Sequence, residues 1–211
     1  MNQQRRQRIR SLIKNLNKQK RRQKKQIDLL CKDILASQKK FVHQLQHYNF
    51  TLDFYESVIG LTDIHRLLLT AEQKIKDHIP GICPAVFILE SDMFNVHCTN
   101  DQKIDGFDPR KFLSSFDPNT VINISRCNTI CTVEDMFALG LEANLNLISK
   151  INTYAIPLSG FGPAEGFILI WKNASQPIAQ ADLDRLATIA VPFAHSLRNC
   201  KKLANAIQHT S

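Results

Sequence analysis

Tyr154-Ala-Ile-Pro-Leu158, a Gly/Pro turn, Glu165-Gly-Phe-Ile-Leu-Ile-Trp171, a polar loop, and a helical pattern from Gln180 to Cys200 form the stretch that decides the fold. Two apolar runs this short, separated by a turn, read as paired strands. Pro157 donates no ladder hydrogen bond, so the strand carrying it lies at an edge or ends there. Gly166 lets the chain re-enter the sheet after the turn at Pro163. The helix that follows begins near Asp182. It presents Leu183, Leu186, Ile189, Ala190, Phe193, Ala194, Leu197 and Cys200 on one face, with Pro192 inside the pattern, where it bends the helix or removes one backbone bond.

Working upstream, Val133 to Lys150 has helical periodicity through Met136, Leu139, Leu141, Ala143 and Leu147, loosened by Gly140. Val121-Ile-Asn-Ile-Ser125 alternates and predicts a strand. Residues 100–119 are rich in Asp, Gly and Pro and read as loops around a short helix near Arg110–Ser115. Ala85-Val-Phe-Ile-Leu-Glu90 is a strand, Ser91-Asp92 a two-residue turn, and Met93 to Thr99 the returning strand. Before them, Thr62 or Asp63 caps a helix over His65–His78, which Pro80-Gly81 ends.

No Pro or Gly occurs from Arg5 to Ile59. Ile27, Cys31, Ile34, Gln38, Phe41, Leu45, Tyr48, Leu52, Tyr55 and Ile59 recur at steps of four and three, a heptad seam that predicts a coiled-coil partner helix and a homodimer. The competing reading folds this helix back on its own domain. Gln38 is the one plainly polar member, of the kind that sets register at a cost in stability. The net charge of +8 is a local property of the other end. Residues 1–25 hold eleven cations, Arg5, Arg6, Arg8, Arg10, Lys14, Lys18, Lys20, Arg21, Arg22, Lys24 and Lys25, and no acid. The remainder is mildly acidic. Like charges at Lys18/Arg22, Lys20/Lys24 and Arg21/Lys25 weaken a helix there and predict fraying in the free chain. Ile9, Leu12, Ile13 and Leu16 form a short apolar face upstream.

The order of elements, with Ile156-Pro-Leu158, Gly166-Phe-Ile-Leu-Ile170, Asp182-Leu-Asp-Arg-Leu-Ala187 and Ala194-His-Ser-Leu-Arg-Asn199, resembles the ending of the GAF family of small-molecule sensor domains; Ala71–Pro80 followed by Ala85–Glu90 resembles its opening. The resemblance covers roughly residues 62–201. It implies an α+β, GAF/PAS-like antiparallel sheet of five or six strands, with helices on one face. A ligand pocket on the other face would be roofed by about residues 100–150. The long helix ahead of it resembles the dimerising helices of bacterial signalling proteins. The chain departs from the family's specialised branches. It has no Asn-Lys-x-x-x-Asp-Glu sequence of cyclic-nucleotide binders, no Cys-His pair of bilin attachment, and no motifs of the free methionine sulfoxide reductases. Ten residues follow Lys201, and no output domain is expected among them.

These readings divide the chain into a basic segment (1–26), a coiled-coil helix (27–60), a GAF-like domain (61–203) and a tail (204–211). Phe94, His97, Cys98, Cys127, Cys131 and Met136 are the pocket candidates. Cys127 and Cys131, four apart, with His97 and Cys98, pose a metal or redox alternative to simple buried thiols. No catalytic residue, metal or cofactor is assigned. The six cysteines include no Cys-x-x-Cys pair, and no secretory leader or membrane span is apparent, so reduced thiols and a cytoplasmic location are expected. The function that follows is a non-enzymatic sensor or adaptor that binds a small ligand or serves as a dimerisation module in signal transduction; a cysteine-dependent redox protein is the alternative. The basic end is open to nucleic acid, an anionic membrane, an acidic signalling partner, or solvent alone. No aromatic residue precedes Phe41, so base stacking has no support.

Overall fold

The computed structural model describes residues 2–90, 93–99, 104–159 and 162–210, without the side chains of residues 2–7, 9, 11 and 207–210. The expected Ser91-Asp92 turn lies outside the described residues, as do the side chains of Arg5, Arg6 and Ile9. In chain order the elements are α1 (Asn2–Val58), α2 (Ile64–His78), β1 (Cys83–Glu90), β2 (Met93–His97), α3 (Pro109–Leu113) and α4 (Pro118–Ser125). They continue with α5 (Val133–Ala138), α6 (Leu145–Ile148), β3 (Ile151–Pro157), β4 (Gly166–Asn173) and α7 (Gln180–Thr210). Two compact units result, Met1–Tyr48 and Asn49–Ser211.

The first unit is helix alone. Lys, Arg and Gln have good helix propensity, and their run through residues 17–26 is helical despite its like-charge neighbours. Every side chain from Leu12 to Gln46 is exposed.

The second unit is an α+β domain around one antiparallel sheet of order β2-β1-β4-β3. The sheet has four strands, not five or six. The expected strand Val121–Ser125 is helix α4. Asp117 caps it, accepting from Thr120 N at 2.7 Å, and Pro118 starts it with a preset φ. Thr120, Val121, Ile124 and Ser125 are the buried residues, at helical spacing. A single antiparallel bridge, Cys131 to Ala155, stands against the free edge of β3 where a further strand would pair. The expected helix Val133–Lys150 is likewise two short ones, α5 and α6. Gly140 between them has φ +110°, a conformation that interrupts any helix.

The remaining strands and helices fall close to their expected places. Asp63 is the N-cap of α2, accepting from His65 N at 2.7 Å and Arg66 N at 3.2 Å. Pro157 is the last residue of edge strand β3. All eight apolar residues expected on the inner face of α7 are buried, and the helix runs through Pro192.

β1 and β4 are buried on both faces along six consecutive residues each. Val86, Ile88, Ile168, Ile170, Ile156 and Leu158 point to the face covered by α2, α7 and the end of α1. Cys83, Ala85, Phe87, Phe167, Leu169 and Trp171 point to the face covered by residues 104–151. From α1, Phe50, Phe54 and Val58 enter the first layer. Phe54 meets Phe193 of α7 edge to face at 5.9 Å.

Gly166 opens β4 opposite Ile88 with φ +139°, and a Cβ there would overlap the carbonyl oxygen of Phe87. Left-handed strain and a backbone clash therefore coincide. Gly166→Ala is expected to lower stability by about 3 kcal/mol or more, read as the urea midpoint with an unchanged m-value.

Candidate functional site

The second face of the sheet is where a pocket is expected, and it is packed with rings. Phe87 and Phe167 face each other across β1 and β4, stacked at 4.5 Å and 13°. Phe116 sits 4.9 Å from Phe87. Phe112 contacts Phe107, Phe116 and Trp171 at 5.6, 5.6 and 6.3 Å. Phe112 and Trp171 are fully buried, and Met136, Val121 and Ile124 close the cluster. The sequence delivers these side chains through short capped helices. Asp108-Pro109 starts α3 and aims Phe112 inward; Thr132 and Asp135 form a reciprocal capping box that starts α5 and aims Met136. One polar atom is stranded in this layer. The indole Nε1 of Trp171, the only tryptophan, has no hydrogen-bond partner among the described residues.

Of the six candidate pocket residues, five belong to this layer. Met136 and Cys131 are buried in it, and Phe94, Cys98 and Cys127 pack against it partly exposed. Phe94 and Cys98 also line an open groove with Val96, Arg110, Leu113 and Phe116 beside edge strand β2. Burial, above all, pushes the Cys131 thiol up to about 12, and the Cys127 thiol beside it adds to the shift. A thiol so high stays protonated at neutral pH, as suits a packed side chain. Cys131 also spends its backbone on β3, with Cys131 N to Ala155 O at 2.8 Å and Ala155 N to Cys131 O at 3.0 Å. Among the described residues, no three His, Cys, Asp or Glu side chains are placed to hold a metal ion.

His97 is not with the other five. Its strand partner is Val86, so it points to the opposite, helix-covered face. There it lies 5.6 Å from the His65 ring, and its Nε2 is 3.4 Å from Glu72 Oε2 without hydrogen-bond alignment. Glu72 is itself buried. It accepts from Thr99 N at 3.1 Å and from the Thr99 hydroxyl, and pairs with Lys76 at 2.9 Å. This polar knot ties the end of β2 to α2. A second knot centres on buried Glu165, which pairs with Arg198 at 2.9 Å and Lys201 at 2.7 Å; Lys201 also donates to Leu89 O at 2.7 Å. Sequence reading gave neither carboxylate a role. Glu72 left a signal, since it falls at core spacing within the Leu68, Ala71, Ile75 stripe of α2. Glu165 left none, because its partners are more than thirty residues away on α7.

No family model and no curated protein matches the chain. Solved structures do. The GAF domain of a phosphoenolpyruvate-protein phosphotransferase from Coxiella burnetii superposes with TM-score 0.57 at 11% identity, over 76% of this chain and 98% of that one. The GAF domain of a putative sensor histidine kinase from Pseudomonas syringae pv. tomato gives 0.54 at 12%, over 83% and 99%. The chromophore-binding domain of an unusual bacteriophytochrome from R. palustris gives 0.50 at 7%, over 77% and 63%. The chain has the GAF fold. Within it, the face that the family resemblance assigns to a ligand is closed by the chain's own aromatic side chains. The described residues also include no helix long and apolar enough to cross a membrane.

Burial lowers the His97 pKa below its ordinary 6.5, and this outweighs the Glu72 carboxylate, which raises it. The folded state thus binds the proton less well than the unfolded chain. The stability contributed by neutral His97 is full above pH 6.5 and is lost as pH falls from there toward the lowered value. The melting temperature of the native chain is expected to drop across that window more steeply than that of His97→Asn, followed by circular dichroism from pH 7.5 to 5.

Proposed function

We propose that this GAF-fold chain is a dimeric, non-catalytic adaptor of a signalling system, located in the cytoplasm, with helix α1 as its pairing surface. The observation that carries this reading is the uncovered heptad seam. Ile27, Ile34, Phe41, Leu45 and Leu52 are 44–60% exposed. Tyr48, Tyr55 and Ile59 extend the row at the same heptad steps, also exposed, with Cys31 and Gln38 between. Near its end, α1 has two apolar faces. Phe50, Phe54 and Val58 are at most 2% exposed and serve the helix's own domain, which leaves Leu52, Tyr55 and Ile59 for something else.

Each large apolar side chain taken fully out of water contributes about 1.5–3 kcal/mol, so a seam of this length readily holds two chains together. A second copy is the occupant that the spacing selects. In a parallel, in-register pair Gln38 meets Gln38, and the one polar seam position satisfies itself.

Sedimentation velocity at micromolar concentration is expected to give twice the 24.1 kDa chain mass. Phe41→Lys with Leu45→Lys, both exposed in the single chain, is expected to weaken pairing at least about 100-fold with unchanged far-UV circular dichroism. A monomeric native chain sinks the proposal.

One observation favours a second reading, in which a small ligand binds the aromatic layer. The unpartnered, buried Trp171 Nε1 is a donor that a ligand acceptor would satisfy once the rings part. Native mass spectrometry of protein purified from its own host separates the readings. A retained small molecule that is lost in Trp171→Phe favours the ligand; a mass of two chains and nothing more favours the adaptor.

A further inference from the structure

We propose that residues 8–25 of α1 grip the phosphate backbone of duplex nucleic acid. Eleven cations and no acid lie in residues 1–25, and nine of them have numbers in the segment 8–25. The segment is helical throughout. Arg10, Lys14, Lys18, Arg21, Arg22 and Lys25 line one strip along it, with Ile13 and Asn17 among them. Lys20 and Lys24 are absent from that strip, one turn apart on another side of the helix. Positive charge on several sides of one helix matches a major groove, about 12 Å wide, which admits an α-helix between two phosphate-bearing walls.

Other polyanions fit less well. A helix lying on a membrane keeps an apolar face along its length. Here residues 17–26, Asn-Lys-Gln-Lys-Arg-Arg-Gln-Lys-Lys-Gln, contain no apolar side chain, and the apolar Leu12, Ile13 and Leu16 stop before the densest charge. Single strands are held by stacking on aromatic rings, and the first aromatic residue is Phe41. The described cations of the segment are exposed, and residues 8–25 contain no carboxylate to neutralise them. At 1.5 Å per residue the segment spans about 27 Å, the length of about eight base pairs.

The seam begins directly after this segment, at Ile27. In a parallel dimer it would deliver two such helices to one duplex, as basic regions fork from a zipper. That second arm rests on the pairing proposed above; the charge of each single helix does not.

Fluorescence anisotropy of a labelled mixed-sequence 30-base-pair DNA duplex, titrated with the full chain, tests the proposal. Affinity is expected to fall about 10³-fold between 50 and 200 mM salt, as for some six phosphates neutralised. A variant with Lys18, Lys20, Arg21, Arg22, Lys24 and Lys25 all replaced by Gln keeps helix-forming residues and is expected to lose binding at least 100-fold. Parallel titration of vesicles containing anionic phosphatidylserine is expected to show weaker association. The proposal is overturned if the duplex is not bound, if the Gln variant binds equally, or if the vesicles are preferred. Sedimentation of the same samples reports pairing independently. A monomer that binds duplex fails the adaptor reading alone, and a dimer that ignores duplex fails this one alone.

Discussion

The antiparallel pairing of β1 with β4 is the contact on which the domain depends. Both strands are apolar on both faces, so neither can face water, and the sheet must be covered twice. The pairing starts at a single close approach. Gly166 in a left-handed conformation lets the backbone of β4 come against Phe87, and the register that follows sets Phe167 on Phe87 and Ile168 beside Val86. From that register each face receives its own layer. Isoleucine and valine meet the helices on one side, and phenylalanine and tryptophan meet the short helices on the other.

The two layers have different characters. The helical layer is closed at its margins by carboxylates with cationic partners, Glu72 with Lys76 and Glu165 with Arg198 and Lys201. Removing either acid would strand charges that are only partly solvated, so these knots specify how β2 and the β3–β4 turn dock. The other layer has almost no polar chemistry. Its rings pack on one another, and among the described residues only the Trp171 donor there is left over. In the adaptor reading proposed above, a face filled in this way is a scaffold, and function lies with the surfaces that stay uncovered. Those are the seam and the cationic segment of α1.

Much of the domain was legible because its signals are local. The wide stripe of α7, the Asp63 cap, the Gly/Pro turn and the edge position of Pro157 each follow from residues within one or two turns of chain. Two readings failed because a local signal was weighed alone. Val121-Ile-Asn-Ile-Ser125 alternates, but Asp117-Pro118 ahead of it is a helix start, and Val121, Ile124 and Ser125 fall on one helical face. The periodicity of Val133–Lys150 runs across Gly140, whose positive φ splits it into α5 and α6. The candidate site was half legible. Alternation along β2 already sets His97 on the face opposite Phe94 and Cys98, and grouping the three overlooked that local signal; only the pairing with β1 decides which of the two faces looks to the loops.

The sequence by itself determined the periodic features. They are the seam from Ile27 to Ile59, the acid-free basic run, the apolar runs of β1 to β4 and the amphipathic α2 and α7, because spacing and charge are properties of neighbours along a chain. Tertiary structure alone decided the rest. It turned Phe50, Phe54 and Val58 inward beside a seam left exposed, gathered six rings onto one face of the sheet, and brought Glu165 to Arg198 and Lys201. Those outcomes depend on residues far apart in the chain competing for the same buried space, and no local pattern records which of them win.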